Sequence, residues 1–506
     1  MAAKTLTIDG KQISAAEDQT VLEAASDAGI SIPTLCHLEG VSDVGACRLC
    51  LVEVKGSNKL QPACVTRVAE GMEVQTDTEK LREYRRMIVE LLFAERNHVC
   101  AVCVANGHCE LQALAYGLGM DHVRYDYCYP QWGVDASHRF MGMDHNRCIL
   151  CTRCVRFMDD VAGDEALCVE ERGDRARIGI APDHDLSHPW AANVIDLCPV
   201  GALVSKDFLN KARAWELDRT ASVCPNCSQG CNVTLETRDG NVVRMKPRSN
   251  ADVNQYYMCD EGRLSYQWIN RADRLETPVV AGKLASWEAA LAVAGAALKG
   301  ASAHVVAGPS LSNESLWLLK QAAGTGTFRV TRGAEAPLPG VKDLALRADR
   351  APNATGAELL GFSRADQPLA GAGKVVVIAG DDCDGLDMSA LSGADTVIFL
   401  GTVAPQGLPA GAILLPIANF AEEEGTFTNL RGRAQRYLQA RPAPGMARAG
   451  WMALAGLAAA VGKPGAFDSA EAVFRAMAKA EAAFSGMSYD SLGLKGQMAA
   501  GAGVTA

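Results

Sequence analysis

The sequence is short of positive charge, of long apolar runs and of nucleotide-binding glycine patterns. Its 49 Lys and Arg stand against 59 Asp and Glu, a formal charge of −10, and the basic residues are scattered. That balance gives no reason to expect nucleic acid as a partner. No stretch reaches the roughly 20 apolar residues that span a bilayer. The most apolar late one, Trp451 to Val461, is rich in Ala and follows Arg448. Met1 to Gly10 reads as a strand and a turn, without the charged start and apolar core of a secretory signal, and Arg85-Arg86 falls mid-helix. The expectation is a soluble cytoplasmic chain that meets a membrane only through partners. The glycines of Gly371 to Gly380 match neither the dinucleotide nor the P-loop spacing. After Cys259 a single cysteine, Cys383, remains.

The other seventeen of the eighteen cysteines lie between Cys36 and Cys259, and fifteen fall into four sets. In a reducing compartment such spacing points to metal ligands rather than disulfides. The first set is Cys36, Cys47, Cys50 and Cys64. One x2 pair and two outer cysteines suit two irons bridged by sulfide, a 2Fe–2S cluster, better than the two x2 pairs usual in a zinc ribbon. The second set is Cys100, Cys103 and Cys109. Three thiolates leave one iron of a 4Fe–4S cubane unserved, and a neutral imidazole can fill that place. His98 is the choice and His108 the competitor. The third set, Cys148-x2-Cys151-x2-Cys154 with Cys198 before Pro199, is a ferredoxin run for one 4Fe–4S cluster. A two-cluster ferredoxin would carry a further cysteine where Met158 stands. The fourth set, Cys224, Cys227, Cys231 and Cys259, suits another cubane, with zinc as the alternative. Cys128, Cys168 and Cys383 have no partners at ligand spacing and read as ordinary small hydrophobes.

With 506 residues the chain has room for several domains. Five are expected: a β-grasp 2Fe–2S ferredoxin-type domain over 1–78, 4Fe–4S domains over 79–146, 147–219 and 220–275, and an α/β region with a parallel sheet over 276–506. The fold class is therefore multidomain α+β. In detail, Thr5–Ile8 and Gln12–Ser14 form a hairpin about Asp9-Gly10, and Thr20 caps a short helix. An amphipathic helix runs from Thr78 to Arg96 with Leu81, Tyr84, Ile88, Leu91 and Leu92 near one face. Residues 200–215 are expected to be helical, and the Ala/Gly-rich tail from Ala470 partly disordered.

The motifs "GACRLCLVEV", "NRCILCTRCVRF", "LCPVGAL", "CPNCSQGCNV" and "MCDEGRLSY", in this order, resemble the G-type subunit of NADH-quinone oxidoreductase, respiratory complex I. The resemblance covers residues 1–275 and extends through "LLPIANFAEEEGTFTNLRGRAQRY", which is similar to a stretch of molybdopterin oxidoreductases. It implies a relay subunit of an NADH dehydrogenase, passing electrons from a flavin subunit through one 2Fe–2S and three 4Fe–4S clusters toward quinone. It also implies NADH- and flavin-binding partner subunits, a place on the inner face of the cell membrane, and no catalytic residue in this chain. The short His98-x-Cys100 spacing, within "AERNHVCAVCVANGHCELQ", is instead similar to the small diaphorase subunit of NAD-reducing hydrogenases. A relay subunit of a soluble hydrogenase or formate dehydrogenase is thus the alternative. A catalytic Mo or W pterin enzyme is the second alternative. Residues 276–506 are few for enclosing pterins, so no molybdopterin is expected.

Overall fold

A computed structural model describes residues 3–500. The chain divides into two compact units, one of residues 1–216 with 338–342, the other of 217–337 with 343–506.

The first unit starts with a mixed five-stranded sheet in the spatial order Lys11–Ala16, Ala3–Ile8, Glu73–Gln75, Leu51–Val54, Gln61–Pro62. The hairpin forms as expected: Asp9 and Gly10 both take positive φ, the twist a two-residue loop requires. The helix Val21–Asp27 is entered through a capping box, in which Thr20 and Glu23 exchange hydrogen bonds. It buries Val21, Leu22, Ala24 and Ala25 against Leu6, Ile8, Val52 and Val74, a β-grasp arrangement.

Helix α1 (Glu79–Glu95) begins after Thr78 as read, but its buried face differs from the expected one. Tyr84 and Leu91 are exposed, whereas Leu81, Arg85, Val89 and Glu90 are buried. Arg85 turns inward because three backbone carbonyls await it: those of Leu49 at 3.0 Å, Leu51 at 2.9 Å and Thr76 at 2.8 Å. Helix α2 (Glu110–Gly117) and the one-turn helix α3 (Arg153–Arg156) follow. Residues 200–215 are not helical. Leu203–Ser205 pairs antiparallel with Met141–Asp144, and only Ala214–Glu216 makes a turn of 3₁₀ helix. The reason is long-range pairing: Leu203 to Ser205 are held in the ladder with Met141 to Met143, which a helix could not join.

The second unit carries a three-stranded antiparallel sheet, Asp218–Val223, Asn232–Arg238 and Asn241–Pro247, and then a doubly wound sheet. Its six parallel strands are β1 (Ala303–Ala307), β2 (Thr327–Phe328), β3 (Ser363–Arg364), β4 (Val375–Ala379), β5 (Thr396–Gly401) and β6 (Ile413–Pro416). They lie in the order 3-2-1-4-5-6, so the winding reverses between β1 and β4. Ligands of such sheets sit outside the carboxyl ends at that reversal. There Gly308 and Gly380 press together; a Cβ on Gly308 would come 2.9 Å from the Gly380 Cα. The tail is ordered through Ala499. Helix Ala470–Ala480 buries Val473, Phe474 and Met477 in the core of this unit. Its composition hid an apolar stripe at helical spacing. The last residues of the expected disordered tail, 501–506, lie outside the described residues.

Two buried carboxyls mark this core. Glu314 accepts from Tyr489 Oη at 2.8 Å, from Thr426 Oγ1 at 3.0 Å and from the Thr426 N–H at 2.9 Å. Glu423 accepts from the Gly450 N–H at 2.6 Å and meets Tyr437 Oη at 3.2 Å. Burial pushes Glu314 up to about 7 and Glu423 up to about 8, from an ordinary 4.5. The folded state then holds protons that the unfolded chain releases above its ordinary carboxylate range. Stability is fully present below that range and falls as pH rises through the folded values, by about 1.4 kcal/mol per pH unit for each group. Urea unfolding followed by tryptophan fluorescence should give a lower midpoint for this unit at pH 9 than at pH 6. The double change Glu314→Gln with Glu423→Gln should flatten that difference.

Candidate metal centres

The first set occupies the loops between the β-grasp helix and strand. Cys36, Cys50 and Cys64 are each 1% exposed, and Cys47 is half-buried. The Sγ atoms of Cys50 and Cys64 are 3.4 Å apart. The Cys47 N–H points at Cys36 Sγ, 3.5 Å away. The neighbouring Cys47 and Cys64 thiols pull Cys36 well below the usual thiol range, while Cys36 pushes Cys47 and Cys64 up. Thiols this close together compete for protons, and a metal that binds them as thiolates would relieve that competition. Arg85 pins the loop from beneath through the Leu49 and Leu51 carbonyls.

The second set lies between α1 and α2. His98, Cys100, Cys103 and Cys109 line one small cavity of about 20 Å³ with Asn106, Gln112, Arg147 and Gly201. Cys109 caps α2, its sulfur accepting from the Gln112 N–H at 3.5 Å, while burial pushes its thiol up to about 11. The His98 ring donates to the Leu92 carbonyl, and its Nε2 is buried without a partner. Burial holds this imidazole down to about 4, hence neutral. A neutral ring with a buried, unpartnered nitrogen, lining the cavity that three thiols also line, has the chemistry of a metal ligand. His108 is exposed and does not line the cavity. Close approach is built in at Gly201, where a Cβ would come 2.5 Å from Cys103 Sγ.

The third set surrounds a small cavity of about 20 Å³, lined by Cys148, Cys151, Cys154 and Cys198 with Ile149, Ile178, Val200 and Leu203 among its apolar walls. Leu150 and Thr152 take the left-handed conformation, φ 52° and 57°. Such turns, costly for residues with a Cβ, curl the backbone so that three sulfurs face inward. Burial pushes Cys148 up to about 11 and Cys151 up to about 12, and Cys154 well above its usual range. The backbone N–H groups of Leu203, Val200 and Ala202 oppose this at Cys198.

The fourth set belongs to the second unit. Cys224, Cys227, Cys231 and Cys259 are each 4–5% exposed. Cys259 caps the helix Asp260–Leu264, its sulfur accepting from the Gly262 N–H at 3.3 Å. A Cβ on Gly262 would press on Cys224 Sγ at 3.1 Å. Burial pushes all four thiols up. Cys128 is exposed, and Cys168 sits on the strand Leu167–Glu170. Cys383 lines the cleft at the carboxyl ends of the parallel strands. None of these three lines the cavity of the second or the third set.

Three features escaped sequence reasoning. The first three sets touch one apolar cluster: Leu35, Leu49, Val89, Leu111, Ala115, Val200 and Ala202 pack against Cys47 of the first set, Cys109 of the second, and Cys148 and Cys198 of the third. Segment Pro199–Gly201 also meets the second set, through Glu110 N–H to the Pro199 carbonyl at 2.9 Å. Two buried arginines, Arg153 and Arg156, flank Cys154. Arg153 forms a bidentate pair with Glu110 at 2.7 and 2.9 Å and also donates to the Leu197 carbonyl. No sequence signal marked these two: arginine beside a cysteine is commonplace until its burial is known.

The cleft of the second unit, about 520 Å³, is where a pterin cofactor would be looked for in this fold. Several of its polar groups are already engaged. Asp382 already takes the N–H and the hydroxyl of Ser310, at 3.2 and 2.5 Å, and Asp381 the N–H of Thr402 at 2.6 Å. The loop donors that would meet a phosphate are thus held by the chain's own carboxylates. On the rim, Arg271 is paired with Asp273 and Arg350 with Glu261.

Comparison with known proteins matches five family models. They are a 2Fe-2S iron-sulfur cluster binding domain over 2–79, an NADH-ubiquinone oxidoreductase-G iron-sulfur binding region over 85–124, and the ferredoxin-like domain of NADH-quinone oxidoreductase subunit 3 over 139–204. A molybdopterin oxidoreductase Fe4S4 domain follows over 217–271, and a molybdopterin oxidoreductase domain over 356–460. The alpha subunit of an NADPH-Fe(3+) oxidoreductase from Geobacter sulfurreducens is 38% identical, covering 64% of this chain and 40% of that one. The G-type subunit of NADH-quinone oxidoreductase from Rickettsia felis is 34% identical, covering 65% of this chain and 50% of that one. The mitochondrial 78 kDa NADH-ubiquinone oxidoreductase subunit of Candida albicans is 34% identical, over 63% and 46%. The matched part thus spans half or less of these relatives' own length. A solved NAD+-reducing NiFe hydrogenase, in its H2-reduced state, is 42% identical over 40% of this chain and 88% of that one, with a TM-score of 0.38. The likeness to the G-type subunit read from the motifs stands, and iron–sulfur domains of both the 2Fe–2S and 4Fe–4S kinds are present.

Proposed function

We propose that this chain is the iron–sulfur relay subunit of an NADH-oxidising complex of the NADH-quinone oxidoreductase type. Cys36, Cys47, Cys50 and Cys64 hold one 2Fe–2S cluster. His98, Cys100, Cys103 and Cys109 hold one 4Fe–4S cluster, Cys148, Cys151, Cys154 and Cys198 a second, and Cys224, Cys227, Cys231 and Cys259 a third. The domain borders at 78, 146, 219 and 275 give each cluster its own module. A flavoprotein subunit binds NADH and delivers electrons, and further redox subunits carry them toward quinone. Among the described residues no helix is long and apolar enough to cross a membrane, so partner subunits provide any membrane contact, on the cytoplasmic face.

The observation that carries this reading is the shared apolar cluster, whose packing against cysteines of three sets supports a chain of closely spaced centres. When bound, the clusters supply one-electron donor and acceptor states. The protein's own work is to hold and tune them. Leu35, Leu49, Val89 and Leu111 keep water from the space among the sites, and N–H groups such as those of Cys47, Gln112 and Leu203 stabilise charge on sulfur. No residue is assigned an acid or base role, and no pterin or molybdenum is assigned to the cleft.

Anaerobic purification with the natural partners tests the reading. The expected result is about fourteen irons per chain, the content of one two-iron and three four-iron clusters. Dithionite should bring up EPR signals of both types, and molybdenum should be absent. A colourless protein carrying zinc sinks the proposal. The short His98-x-Cys100 spacing favours a second reading, the relay subunit of a soluble NAD-linked oxidoreductase. Membrane subunits among the co-purified proteins support the first reading; a hydrogenase or formate dehydrogenase subunit supports the second.

A further inference from the structure

Arg156 is 6% exposed, and every partner of its guanidinium is a neutral oxygen. Nη2 donates to the carbonyl of Cys36 at 2.5 Å and to that of Cys151 at 3.1 Å. Nη1 donates to the carbonyl of Ser42, and Nε to Thr152 Oγ1 at 3.2 Å. The side chain therefore sits between a ligand of the first set and a ligand of the third. Arg153, three residues earlier, is equally buried but forms a bidentate pair with Glu110. The charge on Arg153 is matched; the charge on Arg156 is not. Asp160 is linked to Arg156 through Ser42, whose N–H and hydroxyl donate to it at 3.0 and 2.5 Å, and is not within ion-pair distance of the guanidinium.

A buried cation held only by neutral oxygens is costly unless a counter-charge lies close by. Four thiolates leave an iron–sulfur cluster a net anion, and its charge grows by one on reduction. We propose that Arg156 is a positioning residue and the shared counter-cation of the first and third clusters: it joins their ligand loops and favours the reduced state of both. This deepens the relay reading and rests on it. The two centres become paired steps of similar driving force, set by one charge rather than by two separate environments. The inference is specific, because the second set has its own cation, Arg147, which lines that cavity and pairs with Asp144.

The test uses the full-length protein, anaerobically purified, with EPR signals assigned by single-ligand variants. Iron counts on the unsubstituted protein come first; their failure would sink the relay reading itself. With clusters present, Arg156→Gln should make reduction of both the first and the third cluster about tenfold less favourable, a fall of about 59 mV for a one-electron couple. The fourth cluster should not move. Arg156→Lys keeps the charge but cannot span both carbonyls, and should restore both midpoints with full iron. Midpoints unchanged in Arg156→Gln, or only one of them moved, overturn the proposal. If Arg156→Gln does not fold, Arg156→Lys decides. Full iron with midpoints close to the unsubstituted values supports the shared charge. Loss of iron from the first or third site shows a brace of hydrogen bonds only, and overturns it.

Discussion

Changing His98 to cysteine should keep a cluster in the second site and lower its midpoint potential by on the order of 100 mV, with an altered EPR signal; His108→Cys should do neither. The expectation rests on what the ring does in the structure. Its Nε2 is buried without a hydrogen-bond partner, and the ring lines the same cavity as Cys100, Cys103 and Cys109. A buried nitrogen left unpaired costs about 1–3 kcal/mol, and a metal bond removes that cost. Replacing neutral imidazole by thiolate adds a negative charge to the cluster and so disfavours reduction, the inverse of the rise seen when histidines replace cysteines in Rieske centres. Redox titration of the two variants checks it. An unshifted midpoint in His98→Cys, with iron lost from His108→Ala, would hand the ligand role to His108.

Which parts of this were legible follows from what a sequence records. Thiolate ligands must be cysteine, so four sets of sites show as four spacings. The order of sets along the chain says nothing of their adjacency, and the apolar cluster that joins three of them draws on residues from Leu35 to Ala202. Periodicity placed helix α1 but misjudged its face, since counting apolar residues cannot show that Arg85 is drawn inward by three carbonyls from two other segments. The same blindness covered Arg153 and Arg156. Residues 200–215 failed as a helix because Leu203 to Ser205 pair with Met141 to Met143, a long-range competition that hydropathy does not register. In the second unit the apolar runs gave parallel strands as read, while the acidic floor of the cleft emerged only when Asp381 and Asp382 were seen to hold the loop donors.

Stripping iron and sulfide from the protein under anaerobic conditions should unfold the first unit and leave the doubly wound sheet standing. The cores of the two units differ in what they are made of. In the first unit the β-grasp core includes Cys50 and Cys64, and the apolar cluster among the sets includes Cys47, Cys109, Cys148 and Cys198 at its edge. Without iron Cys109, Cys148 and Cys198 line two small cavities of about 20 Å³ each, and the loops that carry them lose the metal bonds that would join them. Thiolate metal sites of the zinc type contribute on the order of 10 kcal/mol to folding, more than a small domain's whole margin. The large core of the second unit contains no cysteine: Trp287, Leu316, Leu318, Phe328, Ile398, Leu400 and Leu454 pack it without any metal. Limited proteolysis of the stripped protein should therefore degrade residues before about Asp218 at least tenfold faster than in the loaded protein, and leave a resistant fragment containing β1 to β6. Near-UV circular dichroism should show partial, not complete, loss of fixed aromatic packing. Cysteine-to-serine changes in the fourth set should loosen only the three-stranded sheet beside it, because Cys224 and Cys231 lie where its strands Asp218–Val223 and Asn232–Arg238 meet. Should the stripped protein resist protease along its whole length, the clusters would be passengers in a self-sufficient fold, and the burial of nine of the fifteen thiols would need another cause.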